Sequence, residues 1–277
     1  MNTPLVSTGW LAEHISDPDV VLVDASWYMP ATGRSGHAEY LQNHLPGAAF
    51  FGIDEIADKT TTLPHMLPTP ENFAHAVGAL GIADTDTIVV YDEAGIFSAP
   101  RVWWEFSAMG ARDVRVLDGG APKWRAEGRP TEAGEVRRPA KIFHPRFQPA
   151  LVVDFFGVFN LTQSGARTIV DARPADRFKG EAPEPRPGLA SGHIPGSLNV
   201  PVGTLSADGK LRPAGELKAV FEQAGVDLTK PIVTTCGSGI TASTLALALH
   251  VAGAEEVAVY DGSWTEWGAR DDAPVDK

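Results

Sequence analysis

The chain is written twice, and that duplication constrains its fold more than any other feature. The segment VVLVDASWY, with Asp24 at its centre, returns as RTIVDARPA around Asp171. HLPGAAF from His44 returns as HIPGSLN from His193, and GARDVRVLDGGAPKW from Gly110 returns as GAEEVAVYDGSWTEW from Gly253. The order is kept and the separations drift only slightly, so a whole domain has been copied rather than a short solenoid unit. A chain of 277 residues also exceeds the usual size of one hydrophobic core. The stretch GEVRRPAKIFHPRFQPA, rich in Pro and basic residues, lies between the copies as a linker would. The expected organisation is a first domain over residues 1–134, a linker over 135–150 and a second domain over 151–277.

Within each copy, short β-branched runs alternate with helical patterns. In the second these runs are TIVDA, SLNVP, PIVTTC and EVAVYD, separated by segments such as GELKAVFEQAG and TASTLALALHVAG. The expected class is therefore α/β, with two tandem domains that are each a mainly parallel sheet flanked by helices. Sites in such folds lie at the carboxyl ends of strands. The only cysteine, Cys236, stands at such an end, where PIVTTC runs through GSG into a helix.

A lone cysteine is by default a small buried hydrophobe, but its neighbours here argue for chemistry. A glycine-containing turn before a helix N-terminus gathers N–H groups that favour an anion, and the thiolate is the nucleophilic form of cysteine. Gly237 and Gly239 allow the turn and are expected to leave the sulfur uncovered. A phosphatase of the C-x5-R type is excluded: the sixth residue after the cysteine is Ala242, and the loop has no Lys or Arg. In the first copy Asp92 takes the cysteine's place, so that domain is expected to be catalytically silent.

The CGSGITA loop, inside this duplication and with these HIPG, DGG and DGS turns, resembles the two-domain rhodanese superfamily. Its form is similar to that of the members that use 3-mercaptopyruvate, whereas members that use thiosulfate usually carry a basic loop. The resemblance covers nearly the whole chain. It implies a sulfurtransferase in which Cys236 becomes a persulfide, pyruvate is released and an acceptor thiol, such as a thioredoxin-like dithiol, or cyanide removes the outer sulfur. It implies no metal and no organic cofactor. Arg177 and Arg186, in RFKGEAPEPRPG, match the arginines that hold the substrate carboxylate and carbonyl, a task suited to the planar guanidinium fork. Gly237, Gly239, Ile240 and Thr241 complete the substrate pocket, with Thr241 chiefly structural. Ser238, His65 and Asp54 match a relay beside the sulfur, the last two contributed by the first domain. As plainer roles, Ser238 could cap a helix, His65 could be an ordinary loop residue and Asp54 a turn residue. A thiosulfate sulfurtransferase and a non-catalytic persulfide carrier or redox-sensing module stand as alternatives.

His44 and His193 recur in both copies, only one of which can react, and so are expected to be architectural. The repeated Trp124 and Trp267 are expected in the cores. The formal net charge of −12 argues against a nucleic-acid or anionic-lipid partner. The N-terminal segment has no basic and apolar leader pattern, so the chain reads as cytoplasmic and without a membrane span.

Overall fold

In the computed structural model, which describes residues 3–277, the chain forms two compact units. The first takes the chain up to Asp58, then Leu67–Gln148 and Asp208–Leu211; the second comprises Lys59–Met66, Pro149–Ala207 and Arg212–Lys277. The segment 135–148 groups with the first unit, where the Lys141 N–H donates to the Gly78 carbonyl and the Arg146 N–H to that of Met109.

The first sheet contains β1 (Leu5–Val6), β2 (Val20–Asp24), β3 (Ala49–Phe50), β4 (Thr87–Tyr91) and β5 (Asp113–Leu117), in the order β1-β5-β4-β2-β3. The second contains β6 (Val152–Val153), β7 (Thr168–Asp171), β8 (Leu198–Asn199), β11 (Ile232–Thr235) and β12 (Val257–Tyr260), in the order β6-β12-β11-β7-β8. The short strands β9 (Ser206–Ala207) and β10 (Lys210–Leu211) follow β8. Every pairing within the two five-stranded sheets is parallel, and the two orders are the same once the copies are matched strand for strand. Central strands such as VVLVD and IVTT are buried along their whole length, as a sheet covered on both faces requires.

The helices of the first unit are α1 (Thr8–His14), α2 (Gly36–Gln42), α3 (Ile53–Ile56), α4 (Pro70–Ala79), α5 (Ala99–Ala108) and α6 (Gly120–Ala126). Those of the second are α7 (Phe155–Ser164), α8 (Ala175–Phe178), α9 (Ala214–Gln223), α10 (Ile240–Ala252) and α11 (Ser263–Trp267). Helix α10 buries an unbroken run from Ala242 to Leu249, so it is enclosed on all sides rather than amphipathic.

The duplicated residues do duplicated work. Trp124 and Trp267 sit in the two cores and donate their indole N–H to Pro130 and Pro274 carbonyls. His44 stacks on Tyr40 with Nδ1 at 2.8 Å from that residue's carbonyl, and exchanges backbone hydrogen bonds with Glu132. His193 stacks on Phe178, again with Nδ1 at 2.8 Å from its neighbour's carbonyl, and exchanges backbone bonds with Asp276. Both histidines thus pin a turn to a returning strand of chain.

One pair has diverged. Asp171 at the end of β7 is gripped by Arg173, with Nη2 to Oδ2 at 2.7 Å and both side chains about 1 % exposed. The matching Asp24, at the end of β2, has Ser26 in the arginine's place, whose N–H reaches Oδ1 at 2.9 Å. Burial without a matching cation pushes the Asp24 carboxyl up to about 6, against the lowering pull of Ser26 and Tyr91.

Candidate active site

Strand β11 ends at Thr235 and delivers Cys236 into the turn that opens α10. Gly239 stands at the N-cap with φ of 87°, a conformation that costs glycine little and other residues about 1–2 kcal/mol. No side chain caps α10, so Ser238 does not take the capping role its position allowed; Ser238 and Ile240 are buried and Thr241 is half-exposed. The first-turn N–H groups of a helix have no intrahelical acceptor and point towards whatever anion occupies the turn.

The turn is held from the other side by α11. The N–H of Trp264 donates to the Cys236 carbonyl and that of Thr265 to the Gly237 carbonyl, both at 2.9 Å. The Cys236 N–H in turn reaches the Ser263 hydroxyl at 3.2 Å, which donates to the Tyr260 carbonyl at 2.8 Å. Ser263 does this at φ of 49°, in the left-handed region, where the first copy has Gly120 at φ of 52°. A non-glycine residue held there marks a local demand, and its hydroxyl on the cysteine's own N–H supplies one. Cys236 itself is only 2 % exposed, which corrects the expectation of an uncovered sulfur: the thiol lies at the floor of the turn, between the strand end and the first turn of α10.

The first copy shows what the turn prefers to hold. There the Asp92 carboxylate accepts N–H bonds from Ala94, Phe97, Ser98 and Ala99 at 2.8–2.9 Å. An anion on a short side chain at this position is thus met by four converging donors, in a domain whose carboxylate cannot accept sulfur.

Arg177, on α8, lies against the cysteine turn: a Cβ placed on Gly237 would stand 3.4 Å from its Nη2. Its Nε and Nη2, however, face Glu184, with Nε to Oε1 at 3.2 Å and Nη2 on Oε2. That edge of the guanidinium is therefore already engaged by a carboxylate. Arg186 is half-buried on the following loop. His65, read from sequence as a first-domain contribution, groups with the second unit; it is 4 % exposed at φ of 63°. Asp54 belongs to the first unit, on α3, where its Oδ2 accepts the Trp27 indole N–H at 2.7 Å.

Sequence reasoning passed over Glu184, Arg173 and Ser263. Each carried a signal: Glu184 is an acid between the two arginines, in APEPR, Arg173 replaces the serine of the first DAS, and Ser263 replaces the second glycine of the first DGG.

The Rhodanese-like domain family matches the chain twice, over residues 7–127 and 160–270. Among curated relatives, the 3-mercaptopyruvate sulfurtransferase of Escherichia coli (strain K12) is 45% identical over 275 residues, covering 99% of this chain and 98% of its own. The thiosulfate sulfurtransferase of Bos taurus is 44% identical over 271 residues, covering 95% and 91%. Among solved structures, that of SseA from Escherichia coli, described as having the rhodanese fold and 3-mercaptopyruvate chemistry, matches with a TM-score of 0.88 at 42% identity, over 95% of this chain and 99% of that one.

Proposed function

We propose that this chain, which belongs to the rhodanese family through both of its halves, is a sulfurtransferase that takes sulfur from 3-mercaptopyruvate through a persulfide on Cys236. The observation that carries the choice of donor is the neutral turn: Gly237 and Ser238 follow the cysteine, and Arg177 stands beside Gly237. A singly charged keto acid suits one partly compensated cation near a set of N–H donors, whereas doubly charged thiosulfate calls for basic residues in the turn itself.

In the proposed cycle, Arg177 and Arg186 hold the carboxylate and carbonyl. The Cys236 thiolate attacks the substrate sulfur; a sulfur–sulfur bond forms, the carbon–sulfur bond breaks, and its electron pair passes into the enolate of pyruvate. Ser238, with His65 and Asp54, handles the proton and the charge on the enolate oxygen. The persulfide rests against the turn's N–H groups until an acceptor thiolate, such as that of a thioredoxin-like dithiol, or cyanide takes the outer sulfur and restores the Cys236 thiolate. This is ping-pong covalent catalysis. Asp92, which stands in the cysteine's place in the first domain, carries no sulfur.

Among the described residues no helix is long and apolar enough to cross a membrane. Steady-state kinetics with the two donors tests the assignment. We expect kcat/KM for 3-mercaptopyruvate to exceed that for thiosulfate by about tenfold or more, since removing charge-assisted contacts to the doubly charged donor costs at least that. A preference for thiosulfate would overturn the argument from the neutral turn.

A further inference from the structure

Four charged side chains of the second unit form one chain of ion pairs beside the cysteine turn. Asp171 binds Arg173, Arg173 binds Glu184 through Nη1 to Oε1 at 2.8 Å, and Glu184 binds Arg177. Arg173 is the fixed point: it is buried, it donates to the Gly192 carbonyl at 2.9 Å, and its guanidinium lies 4.1 Å over the Trp264 ring. Trp264 is the residue whose N–H holds the Cys236 carbonyl. The Glu184 side chain is 3 % exposed; its Oε1 accepts from both the buried Arg173 and the 21 % exposed Arg177, and its Oε2 accepts from Arg177. A carboxylate so placed is too costly to bury for packing alone, since each oxygen must be matched by a cation.

We infer that Glu184 is a positioning residue for donor binding, acting through Arg177. It takes the Nε and Nη2 edge of that guanidinium and thereby sets the group beside Gly237. Without it, Arg177 is a long side chain at the margin of the turn, free to sample many rotamers, and each donor-binding event must order it again. Arg173 and Trp264 extend the same frame to the Cys236 carbonyl, so clamp and nucleophile share one support. The inference rests on the reading of Arg177 as part of the substrate clamp.

The test is a double-mutant cycle with 3-mercaptopyruvate, using Glu184→Gln, Arg177→Ala and the double variant in the full chain. Glutamine keeps the shape and one acceptor oxygen for Arg173. We expect Glu184→Gln to raise KM by about tenfold, the loss of one charge-assisted contact, with kcat within about twofold of the parent. The double variant should have a KM no higher than Arg177→Ala alone, because Glu184 has no other route to the substrate. An unchanged KM in Glu184→Gln, KM increases that multiply in the double variant, or a fall in kcat at constant KM would each overturn the inference. If Glu184→Gln does not fold, Glu184→Asp, which keeps the charge but draws it back by one methylene, enters the same cycle with the same criteria. Intact mass of each variant after exposure to the donor separates the two levels of the argument. A persulfide on Cys236 with an additive cycle defeats the role of Glu184 alone, and no persulfide in the parent protein defeats the functional reading beneath it.

Discussion

Replacing Asp24 with Asn should remove a pH dependence that the duplication left behind in the silent domain. Burial holds the Asp24 carboxyl at about 6, against an ordinary value of 3.8. A carboxyl raised in the folded state binds its proton more tightly than in the unfolded chain. Its contribution to stability is therefore fullest at low pH and is lost as pH rises from about 4 through 6. At 1.36 kcal/mol per unit, the difference amounts to about 3 kcal/mol in all, of which about 1.4 kcal/mol falls between pH 5 and pH 8. Denaturant unfolding of the full chain at those two pH values should show the parent losing about 1.4 kcal/mol more than Asp24→Asn. A carbon-13 titration of the Asp24 carboxyl should give a midpoint near 6 directly. A midpoint at or below about 4.5, or equal pH dependence in the two proteins, would refute the claim that Ser26 leaves Asp24 short of the cation that Arg173 gives Asp171.

Three further outcomes follow from the site. Arg186→Ala should raise KM for 3-mercaptopyruvate by about tenfold or more with a smaller change in kcat, measured as pyruvate release; an unchanged KM would remove Arg186 from the clamp. Ser263→Gly should leave the melting temperature within a few degrees, since relief of about 1 kcal/mol of left-handed strain offsets the lost hydroxyl bond, yet lower kcat by loosening the Cys236 backbone. A large fall in stability with full kcat would show the serine to be structural only. Because Cys236 is the sole cysteine, peroxide should inactivate the protein without any internal disulfide to protect it. Activity should return on adding a thiol, and full activity after peroxide without reductant would count against a reactive thiolate.

The parts of the fold that repeat were the most legible from sequence. Two copies of each turn and strand gave two observations of the same demand, and a residue present in both halves, such as His44 with His193, had to be architectural because only one half holds a thiol. The α/β class followed from β-branched runs alternating with helical ones, and the rhodanese family from the cysteine turn set in that duplication. Chain grouping was less legible. Lys59–Met66, including His65, precedes the second copy in sequence but packs with it, and no local pattern of burial or turn chemistry announces such a crossing. The engagement of Arg177 by Glu184 was hidden for a different reason. Sequence shows which charges are near in the chain, but which edge of a guanidinium faces which carboxylate depends on Arg173, anchored from β7 and Trp264. The burial of Cys236 is of the same kind: glycines permit an open turn, and the hydrogen bonds from α11 draw this one closed.

The central claim is that Cys236 carries the transferred sulfur as a covalent intermediate. Intact mass spectrometry of the full chain, mixed with 3-mercaptopyruvate in the absence of an acceptor, tests it most directly. The expected result is a gain of one sulfur atom, located on Cys236 by peptide mapping, absent from Cys236→Ser and lost again when cyanide or a thiol is added. Pyruvate release with no gain of mass would contradict it.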